Sequence, residues 1–276
     1  MKLLLAFFVA ISIYIVAQLA WTGFFILKSK SLMIQTSYPK EINFGSGKEL
    51  NIYFLGDSIT AGVGTTSFES TLAYKISQNL SKDSKVHYIN FARSGNKMKE
   101  LIAQDVPKQK ADYTIIFIGS NDLFHFTNIR EFESSAKIVL DKWAPSAGKV
   151  IFMGPANVGG ASAIPLFLKP YYQINMPVYG NVLRKLAKNY SNVKYVYPGD
   201  YIEMFKKYKH TEAVDGFHPN DNGNSFWAEV LLRLIFLANT LSEKCCPRRR
   251  AKHRLVSVLV ATSFFRLQKY QLYQSV

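Results

Sequence analysis

The stretch NIYFLGDSITAGVGTT, residues 51–66, is an apolar run that ends in Gly56-Asp57-Ser58 and continues into two further glycines and two threonines. A turn of this composition could cradle a phosphate, offer Asp57 as an acceptor, or present Ser58 as a nucleophile. A dinucleotide fingerprint requires a third glycine after Gly-x-Gly; counted from Gly62-Val63-Gly64, that place holds Ser67. A phosphate loop counted from Gly56 would need Gly and then Lys, where the chain has Ala61 and Gly62. An acceptor Asp57 would need a supporting acidic or lysine constellation, and none is identifiable. Ser58 at a strand-to-helix turn remains. Serine in such a place is ordinarily a cap or turn residue. As a nucleophile it would need a base, a group to orient that base, and donors for the oxyanion.

Those parts are present in three distant blocks. YINFARSGNKM contains Gly95, YTIIFIGSNDLF contains Asn121 and Asp122, and VDGFHPNDNGNSFW contains Asp215 and His218. The elements that must position them follow from the apolar pattern. Strand-like runs occur at Leu50–Leu55, Val86–Phe91, Tyr113–Ile118, Lys149–Met153 and Val193–Tyr197. Helix-compatible stretches lie between and after them, at about Ser67–Asn79, Lys97–Gln109, Ile129–Lys142, Val178–Asn189 and Ser225–Leu241. Five short strands separated by helices read as a parallel sheet covered on both faces. In such a sheet the carboxyl ends of all strands share one edge, where open α/β folds place their sites. Each of the four blocks ends a strand or sits in a loop on that edge.

The four blocks, in this order, resemble those of the SGNH (GDSL-type) hydrolases, most of all the thioesterase I/lysophospholipase branch. The resemblance runs from about Leu50 to Leu241. It implies a flavodoxin-like three-layer α/β/α sandwich on a five-stranded parallel sheet, in strand order 2-1-3-4-5. It also implies that Ser58 is the nucleophile, His218 the general base and Asp215 the residue that orients it. The oxyanion hole would be formed by the backbone N–H groups of Ser58 and Gly95 and the side-chain amide of Asn121. The first block reads Gly-Asp-Ser-Ile in place of Gly-Asp-Ser-Leu, a like-for-like apolar change. On this reading Asp57 anchors its turn and Asp122 braces its loop, because Asp215 already supplies the acid. His87, His210 and His253 stand in polar contexts that suggest solvation, and His125 could line the pocket. The apolar, Gly/Pro-rich stretch GPANVGGASAIPLFLKPYY is expected to be a loop over the site, able to contact an acyl chain. No cofactor is needed and no metal-ligand motif is present.

The chain as a whole carries a formal net charge of +15 over 276 residues. From Lys244 onward there are eight Lys/Arg and no Asp or Glu; removing them leaves 26 basic against 19 acidic residues, or +7. A mildly basic body suits an anionic surface such as membrane or cell-wall polymer. Nucleic acid is not indicated, since no helix has a one-sided basic face with interleaved aromatics. The only cysteines are Cys245 and Cys246, so the body holds no thiol nucleophile and no disulfide. Leu3–Leu27 is 25 residues without a charge, longer than the ~30 Å hydrocarbon core requires at about 1.5 Å per residue. A signal peptide has a shorter apolar region and a small-residue cleavage site. Here Gln18 stands where a small residue is wanted, which favours an uncleaved anchor over a secreted protein.

The expected organisation is therefore an anchor or signal segment (1–30), a linker (31–48), the hydrolase domain (49–241) and a basic, disordered tail (242–276). The expected activity is a serine esterase or lipase-type acyl hydrolase on lysophospholipids, other lipid esters or thioesters. It would be monomeric, anchored in the membrane through the N-terminal helix, with its body outside the cytoplasm. Two alternatives stand beside it: an O-acetyl esterase or acyltransferase on cell-envelope glycans, and a catalytically silent binding module on the same fold.

Overall fold

A computed structural model of the chain describes residues 2–35, 38–205 and 208–244. The chain divides into two units, Met1–Leu231 and Leu232–Val276. Of the second, residues 232–244 are described and are helical. The remainder of the basic tail, with both cysteines and His253, lies outside the described residues.

The first unit begins with a helix, α1 (Lys2–Gln35), followed by the strand β1 (Glu41–Phe44). The apolar runs then form β2 (Glu49–Gly56), β3 (Lys85–Asn90), β4 (Ala111–Phe117), β5 (Ala147–Met153) and β6 (Val193–Val196). The sheet order is β1-β3-β2-β4-β5-β6. All neighbours from β3 to β6 are parallel, in the expected relative order, whereas β1 pairs antiparallel with β3. The sheet thus has six strands, where five were expected. Polar residues and glycines around EINF hid a four-residue strand that needs only one partner, and it falls within the stretch expected to be linker.

Between the strands lie α2 (Ser58–Ala61), α3 (Leu72–Leu80), α4 (Ser120–Phe124), α5 (Ile129–Trp143) and α6 (Lys169–Ala187), and α7 (Ile202–Phe205) follows β6. The last helix, α8, runs Asp221–Lys244. Two helix expectations change. The stretch at 97–109 forms a short 3₁₀ helix, Met98–Ala103, where a full α-helix was expected. Helix α6 begins nine residues before the expected Val178, with Pro170 in its first turn and Pro177 inside it. A proline in the first turn lacks only an N–H that has no helical partner there, so the helix starts comfortably; an interior proline removes one bond without ending it when packing holds both halves.

Successive β-residues point to opposite faces. Tyr53, Leu55, Ile116, Val150 and Phe152 join the 3₁₀ segment, α5 and α6 in one buried cluster with Trp143, Leu140 and Leu183. On the opposite face Phe117 meets Trp227 edge-on at 5.6 Å, and Phe54 lies 5.4 Å from Tyr88. Both faces of the central strands are therefore dry, which is why those strands read as unbroken apolar runs.

Candidate active site

Strand β2 enters a dead end at Gly56. A Cβ there would lie 2.4 Å from both the Phe117 carbonyl oxygen and the Thr60 hydroxyl, so only glycine lets the chain turn this closely. The next residue, Asp57, caps α2: its Oδ1 accepts the Ile59 N–H at 3.0 Å. Ser58 therefore starts a four-residue helix directly above the strand end, and it is buried.

The partner loop is held by asparagines and two carboxylates. Asp215 Oδ1 accepts the N–H groups of Phe217 (3.1 Å) and His218 (3.0 Å), closing the turn on itself. Asn224, fully buried, donates to the Pro219 carbonyl and accepts the Leu72 N–H, tying α8 to α3. Asp221 at the start of α8 accepts from the N–H of Thr66 (2.8 Å) and from its hydroxyl (2.5 Å). That contact joins the chain leaving α2 to the chain leaving His218. Gly64 completes the approach, since a Cβ there would stand 2.7 Å from the Pro219 carbonyl oxygen and 3.0 Å from the His218 Cβ.

The consequence is a short relay across 160 residues of sequence. His218 Nε2 lies 2.8 Å from Ser58 Oγ, and His218 Nδ1 lies 2.5 Å from Asp215 Oδ2. Asp215 is fully buried. Burial works to raise its carboxyl, but the bond to and charge of His218, with the two backbone N–H groups, hold it below the usual carboxylate value. Whenever the imidazole carries a single proton, an ionised Asp215 fixes that proton on Nδ1 and leaves Nε2 as an acceptor facing the serine hydroxyl. This arrangement can take a proton from Ser58 and return it to a leaving group.

The other expected residues lie at neighbouring strand ends. Gly95 adopts φ 83° on the loop after β3, with open space around the position of a Cβ. Asn121, in α4, donates its side-chain amide to the Asn96 carbonyl at 2.9 Å. Asn96 was not singled out in the sequence. It is buried and its amide donates to the Gly56 carbonyl at 3.1 Å, linking the block after β3 to the turn before Ser58. Its only sequence signal is its place directly after Ser94-Gly95. Asp122 accepts the Met98 N–H at 2.8 Å and so braces the same loop. Burial raises Asp122 to about 6 and Asp57 to about 7. The second oxygen of Asp57 has no hydrogen-bond partner among the described residues.

The long loop after β5 borders the site from both sides. Ala156 N–H donates to the Ser120 hydroxyl at 3.0 Å, and Ala163 N–H donates to the Gly216 carbonyl at 2.9 Å. Of the histidines, His125 is exposed at the end of α4, and His210 is exposed too. His87, expected to be solvated, instead bridges Glu41 (2.7 Å) and Asn51 (3.2 Å) at the far end of the sheet. Among the described residues no three His, Cys, Asp or Glu are grouped to hold a metal ion.

Residues 54–226 match the family model of the GDSL-like lipases and acylhydrolases. Among solved structures, an acetylxylan esterase from Geobacillus stearothermophilus is similar, with 25% identity and a TM-score of 0.53. That alignment covers 69% of this chain and 94% of the esterase. A two-domain esterase active on acetylated mannans aligns with a TM-score of 0.54 at 22% identity, over 70% of this chain and 51% of its own. LAE5, an α/β hydrolase from the metagenome of Lake Arreo, aligns at 0.53 and 22%, over 69% and 95%. At 22% identity these last two support the fold alone. No curated protein matches. The family model covers every block around the relay, from the turn before Ser58 to the first helical residues beyond His218, and the chain belongs to the GDSL-like lipase/acylhydrolase family of ester hydrolases.

Proposed function

We propose that this protein is a membrane-anchored serine esterase in which Ser58 is the nucleophile, His218 the general base and Asp215 its orienting carboxylate. The observation that carries the reading is the relay of 2.8 and 2.5 Å from Ser58 through His218 to buried Asp215. Ser58 Oγ attacks the ester carbonyl as His218 Nε2 takes its proton, and the resulting imidazolium is stabilised by Asp215. His218 then protonates the departing alcohol, leaving an acyl-enzyme on Ser58. Water activated by the same nitrogen releases the acid and restores the serine. The oxyanion is held by the N–H groups of Ser58 and Gly95 and by Asn121. An amide nitrogen carries two hydrogens, so the bond to Asn96 orients Asn121 while the second hydrogen serves the oxyanion.

The assignment of domains follows: an anchor (1–30), a connection (31–48), a hydrolase domain (49–241) and a basic tail (242–276). The stretch Lys2–Leu32 of α1, whose most apolar 18-residue window has a mean hydropathy of 2.5, is long and apolar enough to cross a membrane. With this anchor retained, a monomeric body outside the cytoplasm would act on lipid esters. The similarity to an acetylxylan esterase favours a second reading, an O-acetyl esterase or acyltransferase on envelope glycans.

Fluorophosphonate labelling followed by a panel of esters of rising acyl length, beside an acetylated glycan, tests both. Wild type should label and Ser58→Ala should not, with kcat falling by roughly 10⁵–10⁶. Near-normal turnover by Ser58→Ala would sink the mechanism, and sharp preference for acetyl would select the glycan reading. A wild type that neither labels nor turns over any ester would instead be a binding module.

A further inference from the structure

Helix α1 is not free of the body. Every residue from Leu3 to Ala17 is exposed, but Gln18, Thr22, Phe25 and Ser29 are half-buried, at the four-three-four spacing of one helix face. Three hydrogen bonds, two from this stripe and one from Trp21 beside it, hold the helix to the loop after β5. Gln18 Oε1 accepts the Leu166 N–H at 2.9 Å, Trp21 Nε1 donates to the Ser162 carbonyl at 3.1 Å, and Thr22 Oγ1 donates to the Ala163 carbonyl at 3.0 Å. The Phe25 ring lies over Gly216, where an added Cβ would meet it at 2.9 Å. Gly216 stands between Asp215 and His218, and its carbonyl accepts from Ala163. Anchor, loop and relay turn thus form one junction. It also accounts for Gln18 in an otherwise apolar run, since its amide oxygen has a partner there.

This junction limits how far the body can stand off a membrane. The free part of α1, Leu3–Ala17, is about 22 Å long at ~1.5 Å per residue, short of the ~30 Å hydrocarbon core. The span must continue to about Thr22, and it takes its docked loop with it. Leu166, beside Gln18, then lies about 6 Å below the hydrocarbon boundary set by Thr22, and Gly216, beside Phe25, about 4 Å above it. Leu166 is 56% exposed and Phe167 43%, which is costly in water and favourable in lipid. Val214, next to Asp215, is 65% exposed. Trp21 falls at the boundary, where indole is favoured.

We propose that docking of α1 seats the body in the bilayer surface, with Leu166 and Phe167 inserted among the acyl chains and the Asp215–His218 turn at the level of the lipid ester groups. The site then takes its substrate from the membrane: an ester of a bilayer-resident acyl lipid. This rests on the anchored esterase reading above, and it adds how the site is seated to reach the lipid esters named there.

The full chain in phosphatidylcholine vesicles tests it, with Leu166→Trp as the reporter and Ile138→Trp, an exposed apolar position on α5, as the reference. Lipids brominated in the upper acyl chain should quench the new tryptophan of Leu166→Trp beyond the wild-type background and leave that of Ile138→Trp unaffected. Equal quenching of both, or of neither, overturns the seating. The substrate class is tested by Leu166→Asp combined with Phe167→Asp. The ratio of turnover on a vesicle-embedded long-chain ester to turnover on a soluble acetate ester should fall about tenfold, and an unchanged ratio overturns the proposed source of substrate. A wild type that hydrolyses no ester removes the esterase reading, while the quenching result still decides the seating.

Discussion

Replacing Asp215 by asparagine changes one atom of the relay and leaves its packing intact. In the native turn Oδ1 accepts two backbone N–H groups, at 3.0 and 3.1 Å, and Oδ2 faces His218 Nδ1 at 2.5 Å. Asparagine has one oxygen and one NH₂. If its oxygen keeps the two backbone bonds, the NH₂ faces Nδ1, which must then be an acceptor. The imidazole proton moves to Nε2 and points at Ser58 Oγ, so His218 can no longer take the serine proton. The flipped amide would restore the tautomer, but its NH₂ would face two backbone donors in a buried turn. That costs about 1–3 kcal/mol for each N–H left unsatisfied. The wrong tautomer therefore dominates, and kcat should fall about 10⁴-fold, or about 5 kcal/mol of barrier. The assay is hydrolysis of a soluble acetate ester together with the rate of fluorophosphonate labelling. Both should drop, while thermal unfolding stays near wild type because the backbone bonds survive. An Asp215→Asn enzyme within about tenfold of wild type in kcat, folded and labelling at a normal rate, would refute the assignment of Asp215 and the tautomer argument with it.

Two further substitutions probe the groups around the relay. Asn121→Ala should lower kcat by about 10²–10³ with little change in KM, because the lost donor serves charge that develops only in the transition state; an equal rise in KM would point to a ground-state role. Asp57→Asn should make stability less dependent on pH. The folded Asp57 carboxyl is raised from 3.8 to about 7, so folding favours its protonated form. Its contribution to stability is full below about pH 4 and is lost as pH rises through about 7. Asparagine keeps an oxygen for the Ile59 N–H and cannot ionise. Wild type should therefore lose up to about 4 kcal/mol relative to Asp57→Asn between pH 4 and pH 8 in denaturant unfolding, and parallel curves would show that Asp57 ionises freely.

What could be read from residues alone was governed by local rules. Apolar runs of strand length between helical stretches dictate a parallel sheet, and a parallel sheet puts the ends of its strands on one edge. Ser58, Gly95, Asn121, Asp215 and His218 were legible because each follows a strand or precedes the last helix in a short block of turn residues. Other features depend on partners far away in sequence, and no local pattern carries them. Strand β1 exists because β3 offers an open edge to EINF. Asn96 matters because its amide meets the Gly56 carbonyl 40 residues earlier in the chain. His87 is held by Glu41 and Asn51, two strands brought together by the sheet. Gln18 looked like an obstacle to signal cleavage and is a hydrogen-bond acceptor for a loop 148 residues away. The sequence by itself determined the chemistry and the edge on which it sits. The tertiary structure decided its distances, its burial and its junction with helix α1, because these depend on contacts that form only when the chain closes on itself.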